Sequence, residues 1–371
     1  MSEILAADRE RISQSREIED KLRTILDVRA SNANAYGPQF AHLWELASRR
    51  ISGGKLLRPR LLVGAFDALT DSVGGNGAPR ESALRVAAAI ELLHFSFLLH
   101  DDVIDEDLYR RGTPNLIGSL LYQLEAGGEG TLGSGSAGKR LHWARSNGIL
   151  VGNLMLSAAH QVLAREPIGQ EARLRLLDLL DHSITDSVVG EHCDVGLSDG
   201  IIASDLSTVL EMTRLKTATY TFELPLRAAA ILAHAEPRLE NALGKVSRHL
   251  GMAFQLQDDL LSAFGRSEEH GKDPFSDFRE GKETAIIAYA RTTNAWASIE
   301  PLLGAPEFTN GDGTALQSLL WECGAEHFIS SMAQEQIHVA LEILSQRESA
   351  VPEAVARFIL DLVDTLEGRA V

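Results

Sequence analysis

Cysteine is almost missing from this 371-residue chain, with Cys193 and Cys323 the only two. Two thiols are too few for a disulfide framework and fit a reducing, cytoplasmic setting. Positive charge is short as well. Lys and Arg number 35 against 52 Asp and Glu, a net charge of −17. That balance argues against nucleic acid as a partner and against a polybasic membrane patch. Long apolar runs are also lacking, so the reading is of no transmembrane segment, since a bilayer span needs roughly 20 apolar residues. The opening MSEILAADRERISQSR has no basic segment leading into an apolar core and does not read as a signal peptide. Strand signals are scarce. What is present is an ordinary globular composition, 44% hydrophobic and 23% charged, with material for a large core.

Helical periodicity runs through nearly all of the chain. It predicts helices at about 8–33, 38–51, 55–70, 80–101, 141–165, 169–196, 203–216, 218–234, 237–263, 280–293, 314–346 (broken) and 352–368. The fold class is therefore all-α. No composition shift marks a linker, so residues 1–371 read as a single domain, an antiparallel helical bundle. Short joints such as Gly53-Gly54 and Gly74-Gly75-Asn76-Gly77 separate the helices. A Gly/Ser-rich stretch at about 125–139 reads as a flexible surface insertion. It holds two nucleotide-motif look-alikes, Gly128-Glu-Gly130-Thr-Leu-Gly133 and the run from Gly133 to Lys139. Both motifs need a preceding strand, and Leu116–Leu124 reads as helix instead.

Two acidic clusters carry the chemical signal. They are Asp101-Asp102-Val103-Ile104-Asp105 and Gln257-Asp258-Asp259, set in apolar helical surroundings more than 150 residues apart. Asp101 and Asp105, at i and i+4, share one helix face. Carboxylates in apolar context are costly unless something positive joins them. Paired carboxylates offer hard oxygen donors to Mg²⁺, which completes its shell with water and substrate phosphate. Positive groups occur separately: Lys55 and Arg58 at a helix start, Arg110-Arg111 after the first cluster, and Lys216, Lys272 and Lys282 around the second. His94 precedes Asp101 by two helical turns and lies on nearly the same stripe. Such an arrangement fits two diphosphates, one held through metal and one held directly by cations.

Taken in order, these residues resemble the all-trans isoprenyl diphosphate synthase (polyprenyl synthetase) family, over about residues 45 to 290. The aspartate-rich motif and its RRG appear as Asp101-Asp102-x-x-Asp105 and Arg110-Arg111-Gly112. GGK-x-x-RP appears as Gly53-Gly54-Lys55-Leu-Leu-Arg58-Pro59, and KT as Lys216-Thr217. F-Q-x-x-DD appears as Phe254-Gln255-Leu-Gln-Asp258-Asp259, followed by Gly271-Lys272, Asp277, Glu280-Gly281-Lys282 and Thr284. Three positions depart from the family pattern: Ser262 for the fifth-position Asp of the second motif, Asn153 for an Asp, and Glu191 for the Gln before Asp194.

The resemblance implies a helical bundle around a central cavity and a cytoplasmic, homodimeric prenyltransferase. It would join isopentenyl diphosphate head-to-tail to an allylic diphosphate with three Mg²⁺ per site. Asp101, Asp102, Asp105, Asp258 and Asp259 are the implied metal residues. Arg110, Lys216, Thr217 and Gln255 join Asp101, Asp105 and Asp258 in catalysis. Lys55, Arg58, His94, Arg111, Lys272 and Lys282 complete the substrate contacts. The rival readings are a class I terpene cyclase and a non-catalytic subunit of a heteromeric synthase.

Product length can be argued from the helix itself. The product tail is expected to run along the stripe beneath Asp101, away from the metal. Phe97, four residues earlier on the same face, lies about 6 Å down the axis. An aromatic ring there acts as a floor, but small Ser96 beside it and Leu93 a turn deeper leave that floor partial, with added room for the tail. That favours a C20 product, then C15.

Overall fold

The computed structural model describes residues 2–51, 54–73, 77–110, 112–126, 136–265, 275–346 and 351–367. Helix dominates them, as the periodicity predicts. In chain order the helices begin with α1 (Ser2–Ala33), α2 (Pro38–Ile51), α3 (Leu57–Val73), α4 (Arg80–Ile104) and α5 (Leu116–Ala126). They continue with α6 (Ala137–Ala164), α7 (Gln170–Ser198), α8 (Leu206–Thr213), α9 (Leu224–Leu232) and α10 (Pro237–Phe264). Three short helices follow, α11 (Ser276–Glu280), α12 (Ala285–Ala290) and α13 (Trp296–Ile299). The last are α14 (Asn310–Glu322), α15 (Ala325–Ser345) and α16 (Glu353–Glu367). The break expected within 314–346 falls at Cys323-Gly324, where Gly324 adopts φ 81°.

Three local features depart from the sequence reading. A small antiparallel hairpin, β1 (Tyr109–Arg110) with β2 (Thr113–Pro114), follows α4. Two-residue strands are too short to show alternation, so the pattern cannot reveal them. The expected helix pair 203–216 and 218–234 is instead α8, a π-helical segment over Arg214–Glu223, and α9. The expected helix 280–293 is shortened to α12, the Gly281 turn that ends α11 standing in place of its first turn. The look-alike nucleotide motifs follow helix α5, not a strand. Their residues 127–135 lie outside the described residues.

The chain divides into two compact units. The first comprises Met1–Val63 with Ala78–Leu177, the second Gly64–Gly77 with Asp178–Val371. In the first unit α4 is the central element, packed on α6 and α1. Leu92, Leu93 and Leu99 are almost wholly buried, as are Val151 and Met155 of α6 and Ile18 and Leu22 of α1. Each such side chain contributes roughly 1.5–3 kcal/mol by leaving water. Two polar ties fix the register of α4 against α6. Ser96 Oγ donates to the Gly152 carbonyl at 2.8 Å. Arg85 Nε donates to both oxygens of buried Glu166, just past the end of α6. By length and composition α4 could cross a bilayer, which a search for unbroken apolar runs overlooks. However, 78% of its most apolar window is buried inside the protein, the position of a core helix.

In the second unit α10 packs against the π segment and α15. Its core gathers Leu256 and Leu260 of α10, Val209 and Met212 of α8, Ile286 and Ile287 of α12, and Leu316 and Leu320 of α14. Buried Glu223, last in the π segment, accepts from Arg227 and Arg248 at 3.0 and 3.1 Å. The charge is thereby compensated where water cannot reach it.

Candidate active site

The candidate site residues fall into two groups, one in each unit. The first is built on the C-terminal turns of α4. Helical spacing sets Asp101 and Asp105 on one face, and their carboxylate oxygens lie within 4.8 Å of each other. Asp105 is exposed and Asp101 half-buried, whereas Asp102 is buried, as expected for a residue turned about 100° away. Arg110 spans the pair. Its Nη2 donates to Asp101 at 3.0 Å and to Asp102 at 2.7 Å, and its Nε donates to Asp102 at 3.0 Å. Burial works against the Arg110 charge, yet the Asp102 and Asp101 carboxylates hold its pKa above the ordinary value.

The hairpin explains how Arg110 comes back to the helix it follows. Arg110 pairs with Thr113 across β1 and β2, and the turn between them carries Gly112 at φ 71°. A side chain at that φ is strained, which accounts for the Gly of the RRG motif. Asn115 anchors the far end. Its amide donates to the Asp107 carbonyl at 2.8 Å, and its Oδ1 accepts from the Gly118 N–H at 2.9 Å, capping α5.

Other predicted residues of this unit sit near the same helix. His94 and Phe97 are half-buried on the Asp101 stripe, and Leu93 is fully buried. Ser96 is turned to α6 by its bond to Gly152, so its small volume serves helix packing. Lys55 is exposed and Arg58 half-buried at the start of α3. The turn before them rests on α4, because a Cβ built on Gly54 would lie 3.6 Å from the Glu91 carboxylate. Gly53 and Arg111 lie outside the described residues.

The second group centres on Lys216, held between two helices. Its Nζ sits 2.5 Å from Asp194 and 3.0 Å from Glu191, both on α7. Spaced i and i+3, these two carboxylates share a face of α7. Gly190, one residue before Glu191, lets the π segment approach. A Cβ there would fall 2.2 Å from the Lys216 nitrogen and 2.6 Å from its Cα. The π segment closes with the Leu224 N–H bonding the Thr219 carbonyl, five residues back. Such wide turns are rare and concentrate at functional sites, where they re-aim side chains. Thr217 is half-buried in the same segment, and Thr219 Oγ1 donates to Asp186 of α7 at 3.4 Å.

On α10, Gln255 Nε2 donates to Asp259 at 2.9 Å. Asp259 is buried and Asp258 half-buried. The two acidic pairs thus share a pattern: one buried carboxylate of each receives a polar neighbour, Asp102 from Arg110 and Asp259 from Gln255. Ser262 is half-buried on α10, and Asn153 is exposed on α6. Lys282 pairs locally with Glu280 at 2.8 Å. Lys272 lies outside the described residues.

Glu191 and Asp194 were not among the predicted site residues. Their i, i+3 spacing after a glycine is visible in the sequence, but their partner Lys216 is not. Chemically, the Asp101–Asp105 pair offers carboxylate oxygens only, at a separation that a hard divalent ion can bridge. Arg110 and Lys216 add fixed positive charge next to acidic oxygens, the complement of a phosphate-rich ligand.

Comparison with known proteins agrees with this chemistry. The family model for polyprenyl synthetase matches residues 41–312. A geranylfarnesyl diphosphate synthase of Aeropyrum pernix is 30% identical over 315 residues, covering 84% of this chain and 89% of that protein. A geranylgeranyl diphosphate synthase of Methanosarcina mazei is 28% identical over 293 residues, covering 79% and 80%. Among solved structures, a geranylgeranyl pyrophosphate synthase of Corynebacterium glutamicum, complexed with isoprenyl diphosphate and magnesium, superposes with a TM-score of 0.86. It is 26% identical, and the match covers 96% of this chain and 98% of that one. With its motifs, helical fold and relatives in agreement, this chain belongs to the polyprenyl synthetase family of prenyltransferases.

Proposed function

We propose that the chain condenses isopentenyl diphosphate head-to-tail with an allylic diphosphate and releases an all-trans C20 prenyl diphosphate. The observation that carries this reading is the Asp101–Asp105 pair, with its oxygens within 4.8 Å, and Arg110 bound beside it. In this reading Asp101, Asp105 and Asp258 hold magnesium, three ions per site, and Asp102 and Asp259 fix Arg110 and Gln255. Bound magnesium neutralises charge on the departing diphosphate. Arg110, Lys216 and Lys272 supply further positive charge to that leaving group. The Thr217 hydroxyl and the Gln255 carbonyl ease the positive charge of the allylic fragment. Lys55, Arg58, His94, Arg111 and Lys282 bind and orient the second diphosphate.

Phe97 supports the C20 assignment, since it lies on the Asp101 stripe at a depth set by one helical turn. The relatives include enzymes named for C15, C20 and C25 products, and in this reading local residues such as Phe97 set the length. We also propose that residues 1–371 act as one cytoplasmic synthase domain and as a homodimer. The α6 residues Trp143, Ile149 and Leu150 are exposed large apolar side chains that a second copy would cover. The decisive experiment incubates the purified chain with C5, C10 and C15 allylic diphosphates, isopentenyl diphosphate and Mg²⁺, then sizes the products. A dominant all-trans C20 product supports the reading. Absence of Mg²⁺-dependent product refutes the activity, and a dominant C15 or C25 product refutes the length.

A further inference from the structure

A groove of roughly 480 Å³ lies in the first unit, between α1 and the end of α6, away from the Asp101 cluster. Arg29 and Arg165 line it together with Asn32, Gln161, Val28 and Val162. Of its three lining arginines one is balanced by an acid, since Glu166, which also lines the groove, pairs with Arg85. Arg85 donates to Glu81 as well. Arg29 donates to the neutral Gln161 side chain at 2.7 Å. Among the described residues, no carboxylate forms an ion pair with Arg29 or Arg165. Arg29 is half-buried; this burial, with the nearby Arg165 charge, lowers its pKa. Two like charges held next to one another over an apolar wall are an unfavourable arrangement that an anion relieves. The apolar side matters equally, since Val28 is 63% exposed although it is a large aliphatic residue on the groove.

We propose that this groove is a second, metal-independent binding site for an organic diphosphate with a hydrocarbon tail. The two guanidiniums take the diphosphate oxygens in bidentate fashion, and Asn32 and Gln161 supply neutral hydrogen-bonding groups. Val28 and Val162 cover the first carbons of the tail. This ligand class rests on the function proposed above, because it is the class of molecule that function produces.

The test uses the purified full-length protein in EDTA, which silences magnesium-dependent binding. Farnesyl diphosphate and inorganic diphosphate are titrated separately against the wild type, an Arg29→Gln/Arg165→Gln variant and an Arg165→Glu variant. Arg165 is exposed, so the single reversal keeps the fold while placing an acid opposite Arg29. The expected result is saturable farnesyl diphosphate binding in EDTA at two sites, one at the Lys55 and Arg58 cations that is equal in all three proteins and one at the groove that weakens about tenfold or more in both variants. Turnover with Mg²⁺ should stay at the wild-type level in both. Three results overturn the proposal: no second saturable site in EDTA, equal affinity at both sites in the variants, or equal affinity of the variant-sensitive site for inorganic diphosphate. A wild type that shows the variant-sensitive site in EDTA but has no prenyltransferase activity would sink the proposed function and leave the groove assignment standing.

Discussion

Replacing Gly190 with alanine probes whether close contact between α7 and the π segment sets the position of Lys216. The added Cβ would sit 2.2 Å from the Lys216 nitrogen, where ordinary van der Waals contact begins at 3.4 Å. The obstacle is backbone, so no side chain can rotate away, and the segment must retreat by about 1 Å. Overpacking of this kind costs about 1–3 kcal/mol, offset by up to about 1 kcal/mol from the better helix propensity of alanine. The larger effect falls on Lys216, whose bonds to Asp194 and Glu191 are 2.5 and 3.0 Å long. A 1 Å displacement of a positioned group lowers rates by about 10²-fold. Gly190→Ala should therefore lose about two orders of magnitude in kcat with Mg²⁺ and an allylic diphosphate, and its thermal midpoint should fall. Gly138→Ala is the control, because nothing lies within 4 Å of a Cβ there. Wild-type kcat and wild-type stability in Gly190→Ala would refute the argument.

Further expectations are each open to a single measurement. Phe97→Ala should lengthen the product by one isoprene unit or more; an unchanged chain-length profile would remove Phe97 as the stop. Stripping divalent metal with EDTA should abolish turnover and leave far-UV circular dichroism unchanged, because Arg110 and Lys216 already compensate nearby acids. Glu223→Gln leaves Arg227 and Arg248 without their shared buried carboxylate and should cost about 2–3 kcal/mol in denaturant unfolding. That lies below the usual figure for a broken buried pair, since Arg248 is partly exposed. Asp205 caps α8, and bonds from Ser207 and Thr208 lower its pKa to about 2. Its contribution is complete above the unfolded value of about 3.9, and is lost as pH falls through that value toward 2. Asp205→Asn should flatten stability across that window, as read by thermal unfolding at successive pH values.

The sequence carried most of the fold because α-helices write their period into it. The bounds expected for α2 match those observed, and α10 is matched to within one residue. Periodicity failed where the repeat changes or the element is too short to repeat. A ten-residue π segment spans hardly more than two of its own turns, so its apolar spacing cannot be told from that of an α-helix with a joint. The cost of missing it is local: Lys216 and Thr217 were legible as a pair, whereas the carboxylates receiving Lys216 were not. Gly190 illustrates the same limit. Its neighbour across the contact lies 26 residues further along the chain, and only the structure shows the two backbones meeting.

Within the acidic clusters the sequence distinguishes directions but not partners. Asp101 and Asp105 must share a face, and Asp102 must turn from it, whatever surrounds the helix. The identity of the group facing Asp102 depends on the Tyr109–Pro114 hairpin, which returns Arg110 to the same helix end. Ser96 shows the converse. A small residue beside Phe97 reads as added room for a product tail, but its hydroxyl is bonded to the α6 backbone. Removing the hydroxyl would leave the Gly152 carbonyl with its helical neighbours and cost about 1 kcal/mol. Ser96→Ala should thus loosen α4 against α6 without altering product length, whereas Phe97→Ala should alter length without disturbing that tie. The two substitutions, one residue apart, separate packing from specificity on faces of one helix about 100° apart.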